Sequence, residues 1–216
     1  MVISNPTDIE SLDTDLAEAD VNARTLVAGL DEALGDWRET AGSWSVAECL
    51  DHLAIANRVY LKAMRPAAER AAREGLRRRG PARPGLIGRW FVRSLEPPVK
   101  RHMKGKAPGL IQPRQAPALH DAIDAFVASQ SEVRAFLRTY SDIDLAGVRF
   151  PNPFVRGVRF SLATGLHVIA AHERRHLWQA WRVRRAAEQA LSTSPPSGTA
   201  RVAPDEGTRP QMVTSH

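Results

Sequence analysis

Two histidines four residues apart, His172 and His176, stand in the stretch LHVIAAHERRHLWQAWRVRR, residues 166–185. The stretch has no Pro and no Gly, and its pattern is helical. Gly165, Ile169, His172, His176, Gln179 and Val183 recur at alternating steps of four and three, which is one face of an α-helix. Imidazoles at i and i+4 on one face can bind a single metal ion from the same side. A histidine on an inward stripe can equally be a hydrogen-bonded core residue, so the pair alone leaves both readings open. Gln179, almost one turn further along, is placed to orient a bound water or a substrate.

A third imidazole comes from far upstream. Ser45 and Glu48 form an S-x-x-E capping box, and Trp44 occupies the position that staples onto Cys49. The helix that starts there carries His52 on the same face as Cys49, Ala56, Val59 and Ala63. If the two helices turn these faces toward each other, His52, His172 and His176 converge. Three neutral histidines with an open fourth position suit Zn²⁺, and also Ni²⁺ or Fe²⁺; spacing does not choose among them. Such a site can activate a bound water or polarise a substrate atom. The run HERRH also matches the H-E-x-x-H pattern of zinc peptidases. Their third ligand has no counterpart: Gln179 and Arg182 stand where the extended motif needs Gly and His, and Glu188 continues the same helix. A peptidase is therefore not expected.

The elements that must hold these residues are all helical. The spacing predicts a first helix over 5–34, capped at Asn5-Pro6 or by Thr7 with Glu10, with Ile9, Leu12, Leu16, Ala19, Ala23, Leu26 and Leu30 as its stripe. A link over 35–43 leads to a second helix over 46–74. A third helix spans 117–140 through Leu119, Ile123, Phe126, Gln130, Val133, Leu137 and Tyr140, with Gln130 as a buried hydrogen-bonding residue. A loop over 141–157 follows, where Pro151 and Pro153 argue against a helix and Phe150 and Phe154 can plug the bundle's end. The fourth helix covers 161–190. No strand is expected in the core. The fold class is thus all-α, a four-helix bundle over 5–190, and the tail 191–216, rich in Pro, Ser and Thr, reads as disordered.

Two motifs carry a family resemblance. SWSVAECLDHLAIAN, 43–57, matches W-S-x-x-E-x-x-x-H-L, and PNPFVRGVRFSLATGLHVIAAHERRHLWQAW, 151–181, closes on H-x-x-x-H-x-x-Q. The chain resembles the DinB/YfiT-like family of metal-dependent four-helix bundles over roughly 8–190. That resemblance implies His52, His172 and His176 as metal ligands. It also implies a thiol-dependent S-transferase or isomerase, or a hydrolase, acting on a small electrophile. The cofactors would be a divalent metal and a low-molecular-weight thiol such as bacillithiol, mycothiol or glutathione. A homodimer is also in keeping with it.

Composition limits the alternatives. The 216 residues suffice for one domain, and Cys49, the only cysteine, rules out an intramolecular disulfide. No signal-like or membrane-spanning stretch is apparent, so the expectation is a cytoplasmic protein without a membrane partner. Between Arg65 and Arg114 stand fourteen Lys/Arg against three Asp/Glu, a balance of +11 against +6 for the whole chain. This basic connection, 65–116, departs most from the family pattern. Within it, 86–95 reads as a short amphipathic helix anchored by Trp90 and Phe91. The segment reads first as a solvated loop, then as a cap over the bundle's open end. Nucleic-acid binding through 65–114 is the least favoured reading, because no recognition motif accompanies the charge. The alternative to an enzyme is a non-catalytic, metal-stabilised stress or interaction protein on the same scaffold.

Overall fold

The structure, a computed structural model, describes residues 8–98 and 107–193. In chain order it contains α1 (Asp8–Val27), α2 (Glu32–Asp36), α3 (Val46–Arg73), α4 (Leu86–Leu95), a 3-10 turn (Gly109–Ile111), α5 (Leu119–Thr139), β1 (Arg149–Pro151), β2 (Arg159–Ser161) and α6 (Leu162–Thr193). The expected caps at Asn5-Pro6 and Thr7, and the tail from residue 194 onward, lie outside the described residues.

The four long helices form the bundle. Each of α1 and α3 packs against both α5 and α6, so α1 and α3 face each other across a diagonal. Leu12, Leu16, Ala19, Ala23 and Leu26 of α1 are buried as their spacing requires. The first helix ends earlier than its stripe suggested. It stops at Val27, and Gly29, at φ +75°, turns the chain. Asp31 then caps the short α2 by accepting from the Leu34 N–H. This turn gives α5 its start. Ala118, at the N-cap of α5, offers no side-chain acceptor. The Glu32 carboxylate of α2 instead accepts from the backbone N–H groups of Leu119 (2.6 Å) and His120 (3.2 Å).

The segment read as a loop over 141–157 contains a short strand, β1, which pairs antiparallel with β2 in the register Phe150↔Phe160. The hairpin closes one end of the bundle. Phe150 is fully buried, and Phe150 and Phe154 both meet Tyr60 edge-on. Two- or three-residue pairings of this kind carry too little alternation to be legible in sequence.

The bundle's interior is divided in two. One apolar cluster holds Leu12, Leu16, Tyr60, Val133, Phe136, Phe150 and Leu166, and the other holds Leu26, Leu50, Leu53, Phe126, Leu177 and Val183. Burying each large aliphatic or aromatic side chain contributes roughly 1.5–3 kcal/mol. Between the clusters lies a polar layer. Glu173 is completely buried there. It accepts from Asn57 Nδ2 (2.8 Å) and from Gln130 Nε2 (3.0 Å), while Gln130 Nε2 also donates to the Leu16 carbonyl of α1. Asn57 Nδ2 also donates to the Ser129 hydroxyl. One network therefore ties all four long helices together.

Candidate metal centre

His52 sits in the second turn of α3, and the start of that helix is strongly determined. The Ser45 hydroxyl accepts from the Glu48 N–H and the Glu48 carboxylate accepts from the Ser45 N–H, the reciprocal box expected from S-x-x-E. Arg38 Nε adds a 2.9 Å bond to the same Glu48 oxygen. His172 and His176 project from consecutive turns of α6.

The three rings meet. One nitrogen from each of His52, His172 and His176 lies within 4.8 Å of the others. His52 Nε2 is 3.2 Å from His172 Nε2, and the ring centroids are 4.5–4.9 Å apart pairwise. His52 and His176 are buried, and His172 is half-buried.

The outward nitrogens are held by fixed partners. His52 Nδ1 is 2.5 Å from the Ile111 carbonyl oxygen. A carbonyl can only accept, so Nδ1 carries the proton and the Nε2 lone pair faces the other rings. His176 Nδ1 is 3.1 Å from Gln179 Oε1. With the amide oxygen accepting, His176 Nε2 is bare. Hydrogen-bonded distal nitrogens of this kind aim metal-binding imidazoles.

The Ile111 carbonyl is delivered by the end of the basic connection. Asp51, buried beside His52, accepts from the Arg114 backbone N–H (2.7 Å) and from Arg114 Nε (2.9 Å) and Nη2 (2.7 Å). That three-bond grip holds the 3-10 turn over the start of α3. Part of the connection is thus a cap over the site, and only part is solvated loop.

Trp44 completes the enclosure. Its ring centroid lies 4.6 Å from that of His52 and 5.6 Å from that of His176. The capping geometry predicts an apolar staple there, and Trp44 does pack against the cluster that contains Cys49. Its position against two of the three imidazoles is legible only once α6 is in place.

Electrostatics keep the rings neutral. Burial lowers the proton affinity of His52. His172 is pushed down to about 3, first by burial and then by the repulsion that protonating it beside His52 and the Arg175 cation would bring. His176 is driven well below its ordinary value by burial and by the other two rings. Three neutral imidazoles with lone pairs converging are a donor set that fits a divalent cation. They would be a poor set of proton-transfer groups near neutrality.

The other candidate residues separate cleanly. Glu173 points away from the triad into the polar layer, as its 100° offset from His172 requires. Burial there lifts its carboxyl to about 8 against the two amide donors. Arg174 turns outward to Glu96 and Asp15. His120 is exposed and pairs with Glu32. His102 and His216 fall outside the described residues. His167, inside the helical stretch but off the 172/176 stripe, is 3.1 Å from the Ala82 carbonyl and does not join the triad. Cys49 is fully buried, and burial raises its thiol far above the ordinary range.

The family model described as DinB superfamily matches residues 15–180. That span contains all three histidines, Trp44 and Gln179. No curated protein matches the chain. A crystal structure of a protein from Streptococcus pneumoniae, a structural genomics target, matches with a TM-score of 0.48 and 14% identity, over 88% of this chain and 94% of that one.

Proposed function

This chain belongs to the DinB superfamily, and from that premise and the geometry of its histidines we propose a metal-dependent enzyme that joins a low-molecular-weight thiol to a small electrophile. His52, His172 and His176 are the ligands in this reading. The observation that carries it is the paired orientation of His52 and His176, whose outer nitrogens are occupied by Ile111 O and Gln179 Oε1 while the inner nitrogens converge. A hydrogen-bonded core histidine needs no such convergence. Zn²⁺, Ni²⁺ and Fe²⁺ all suit three imidazoles.

A divalent ion at such a site lowers the pKa of a bound thiol or water and so supplies a nucleophile at neutral pH. The chain's own residues do the rest. Ile111 and Gln179 hold the rings in one tautomer, Trp44 excludes water from one side, and the buried surroundings keep the imidazoles unprotonated. The nucleophilic sulfur must come from solution, because Cys49 is enclosed and its thiol is held protonated. In the transfer, the incoming thiol would release its proton to solvent and its sulfur would bond to the electrophilic carbon. The leaving group departs with the electron pair of the broken bond.

The test is elemental analysis after reconstitution with Zn²⁺, Ni²⁺ and Fe²⁺, followed by a thiol panel with a model electrophile. About one ion per chain is expected, with loss of binding in His176→Ala. A wild-type chain that stays metal-free would end the proposal. A second reading is supported by the burial of His52 and His176 under Trp44: a non-catalytic protein stabilised by its metal. There the ion would raise the melting temperature by mass action and no thiol would give turnover.

A further inference from the structure

Of the two anchors expected for α4, Phe91 is one and Trp90 is not: the helix is bound through Phe91, Val92 and Leu95, which pack against the core, with the Phe91 ring 5.3 Å from that of Phe160. Gly88 makes the close approach possible: a Cβ there would lie 2.6 Å from Thr164 Oγ1 of α6. With that face buried, the opposite face is fixed outward. Leu86, Ile87 and Trp90 are 77%, 79% and 70% exposed.

These three side chains do not stand among neutral neighbours. Between Glu74 and Glu96 the chain has six arginines and no acidic residue. Arg78 pairs with Asp8. Arg83, Arg89 and Arg93 are exposed, and among the described residues none of them has a carboxylate within ion-pair distance. Together with Leu86, Trp90 and His167 they line a cleft of about 580 Å³ between α4 and α6. His167 faces the Ala82 carbonyl with Nε2, and no residue lining the cleft is acidic.

We propose that α4 is a membrane-surface docking element: Leu86, Ile87 and Trp90 enter the headgroup boundary of an anionic bilayer, and Arg83, Arg89 and Arg93 bind the lipid phosphates. Aliphatic and indole side chains flanked by arginines, on a helix that lies flat on the molecule, match the requirements of an interfacial helix. The occupant follows from charge and shape. A nucleic acid would use the arginines and could stack on Trp90, yet it gives Leu86 and Ile87 no apolar partner. A second copy joined through the same face would set arginine against arginine, because a two-fold interface is self-complementary. Among the described residues no helix is long and apolar enough to cross a membrane, and an interfacial helix needs no such span.

The experiment uses the full chain and sedimentation with extruded vesicles. Binding is expected to equimolar phosphatidylcholine and phosphatidylglycerol, not to phosphatidylcholine alone, and is expected to weaken as salt rises. Each of R83Q, R89Q and R93Q should weaken it about fivefold. The triple variant L86S/I87S/W90S should abolish it with an unchanged melting curve, since these side chains touch little of the protein. R89E/R93E checks the same face without altering its apolar residues, and should also abolish binding. Four results would overturn the proposal. The first three are no sedimentation with anionic vesicles at low salt, equal binding to neutral vesicles, and binding that survives the apolar triple variant. Displacement from the vesicles by duplex DNA bound more tightly through the same arginines would assign the face to nucleic acid instead.

Discussion

At His176 the two ring nitrogens have different environments, and the difference is set by one neighbour. Gln179 lies three residues on, so its amide reaches back along α6 to Nδ1. Helical spacing could place Gln179 near the site but could not say whether its amide would face the ring or the space in front of it. The proposed contribution of Gln179 is therefore to aim the ring. Gln179→Ala should lower metal affinity about 10–100-fold, read by competition with a chelator of known strength. An unchanged affinity would reduce the contact to an incidental one. Trp44 supplies a second readout at this scale. Its indole is close enough to His52 and His176 for Ni²⁺ loading to quench its fluorescence, and Trp44→Phe should remove that part of the signal.

Between elements, the decisive contact is the clasp of Asp51 on Arg114. Asp51 precedes a proposed ligand in α3, and Arg114 follows the turn whose carbonyl accepts that ligand's hydrogen bond. Long basic connections of this composition read as solvated loop because arginine is ordinarily exposed. Here the end of the connection is fixed by a buried carboxylate 63 residues away. Asp51→Asn leaves the helix face its size and polarity but weakens the charge-assisted bonds, at a cost of roughly 1–3 kcal/mol. The expected outcome is faster amide exchange over residues 109–114 together with weaker metal binding. Faster exchange with unaltered metal binding would show that the Ile111 carbonyl does not position His52. The polar layer makes the complementary link: Asn57 and Glu173 join the same two helices that carry the histidines, which sets how far α6 can slide along α3.

For the whole molecule, opposing titrations shape stability without metal. The three histidines bind fewer protons folded than unfolded, from their ordinary 6.5 down to about 3 for His172. Stability they contribute is therefore lost as pH falls below 6.5, and half-buried His167 acts in the same direction. Glu173 does the reverse. Its folded value of about 8 lies above the ordinary 4.5, so its burial becomes more costly as pH rises from 4.5 to 8. Below 6.5 the buried histidines outweigh the single carboxyl; between 6.5 and 8 Glu173 is the buried group that lowers stability, before the buried Cys49 thiol and Tyr60 phenol add to the loss at higher pH. Metal-free protein should melt highest near pH 6.5, and Glu173→Gln should flatten the alkaline limb. An alkaline limb that persists in the variant would place its origin elsewhere. Bound metal should steepen the acid limb, because protons compete for the same lone pairs.

Helical periodicity alone determined the four long helices and the inward faces that carry His52, His172 and His176, because burial of an apolar stripe repeats every three or four residues and so is written locally; that the three rings meet was implied by the family motifs and decided by the tertiary structure. The capping box fixed the start of α3, and with it the height of His52, for the same reason. Tertiary structure decided everything that depends on residues meeting from distant parts of the chain: the Ile111 carbonyl at His52, Trp44 against two imidazoles, Glu32 capping α5, and Glu173 buried among amides from α3 and α5. It also decided which face of α4 looks outward. The apolar residues of α4 cover more of the helix than one buried face can take, and the close approach of Gly88 to Thr164 selects the face of Phe91, Val92 and Leu95 and leaves Trp90 in solvent.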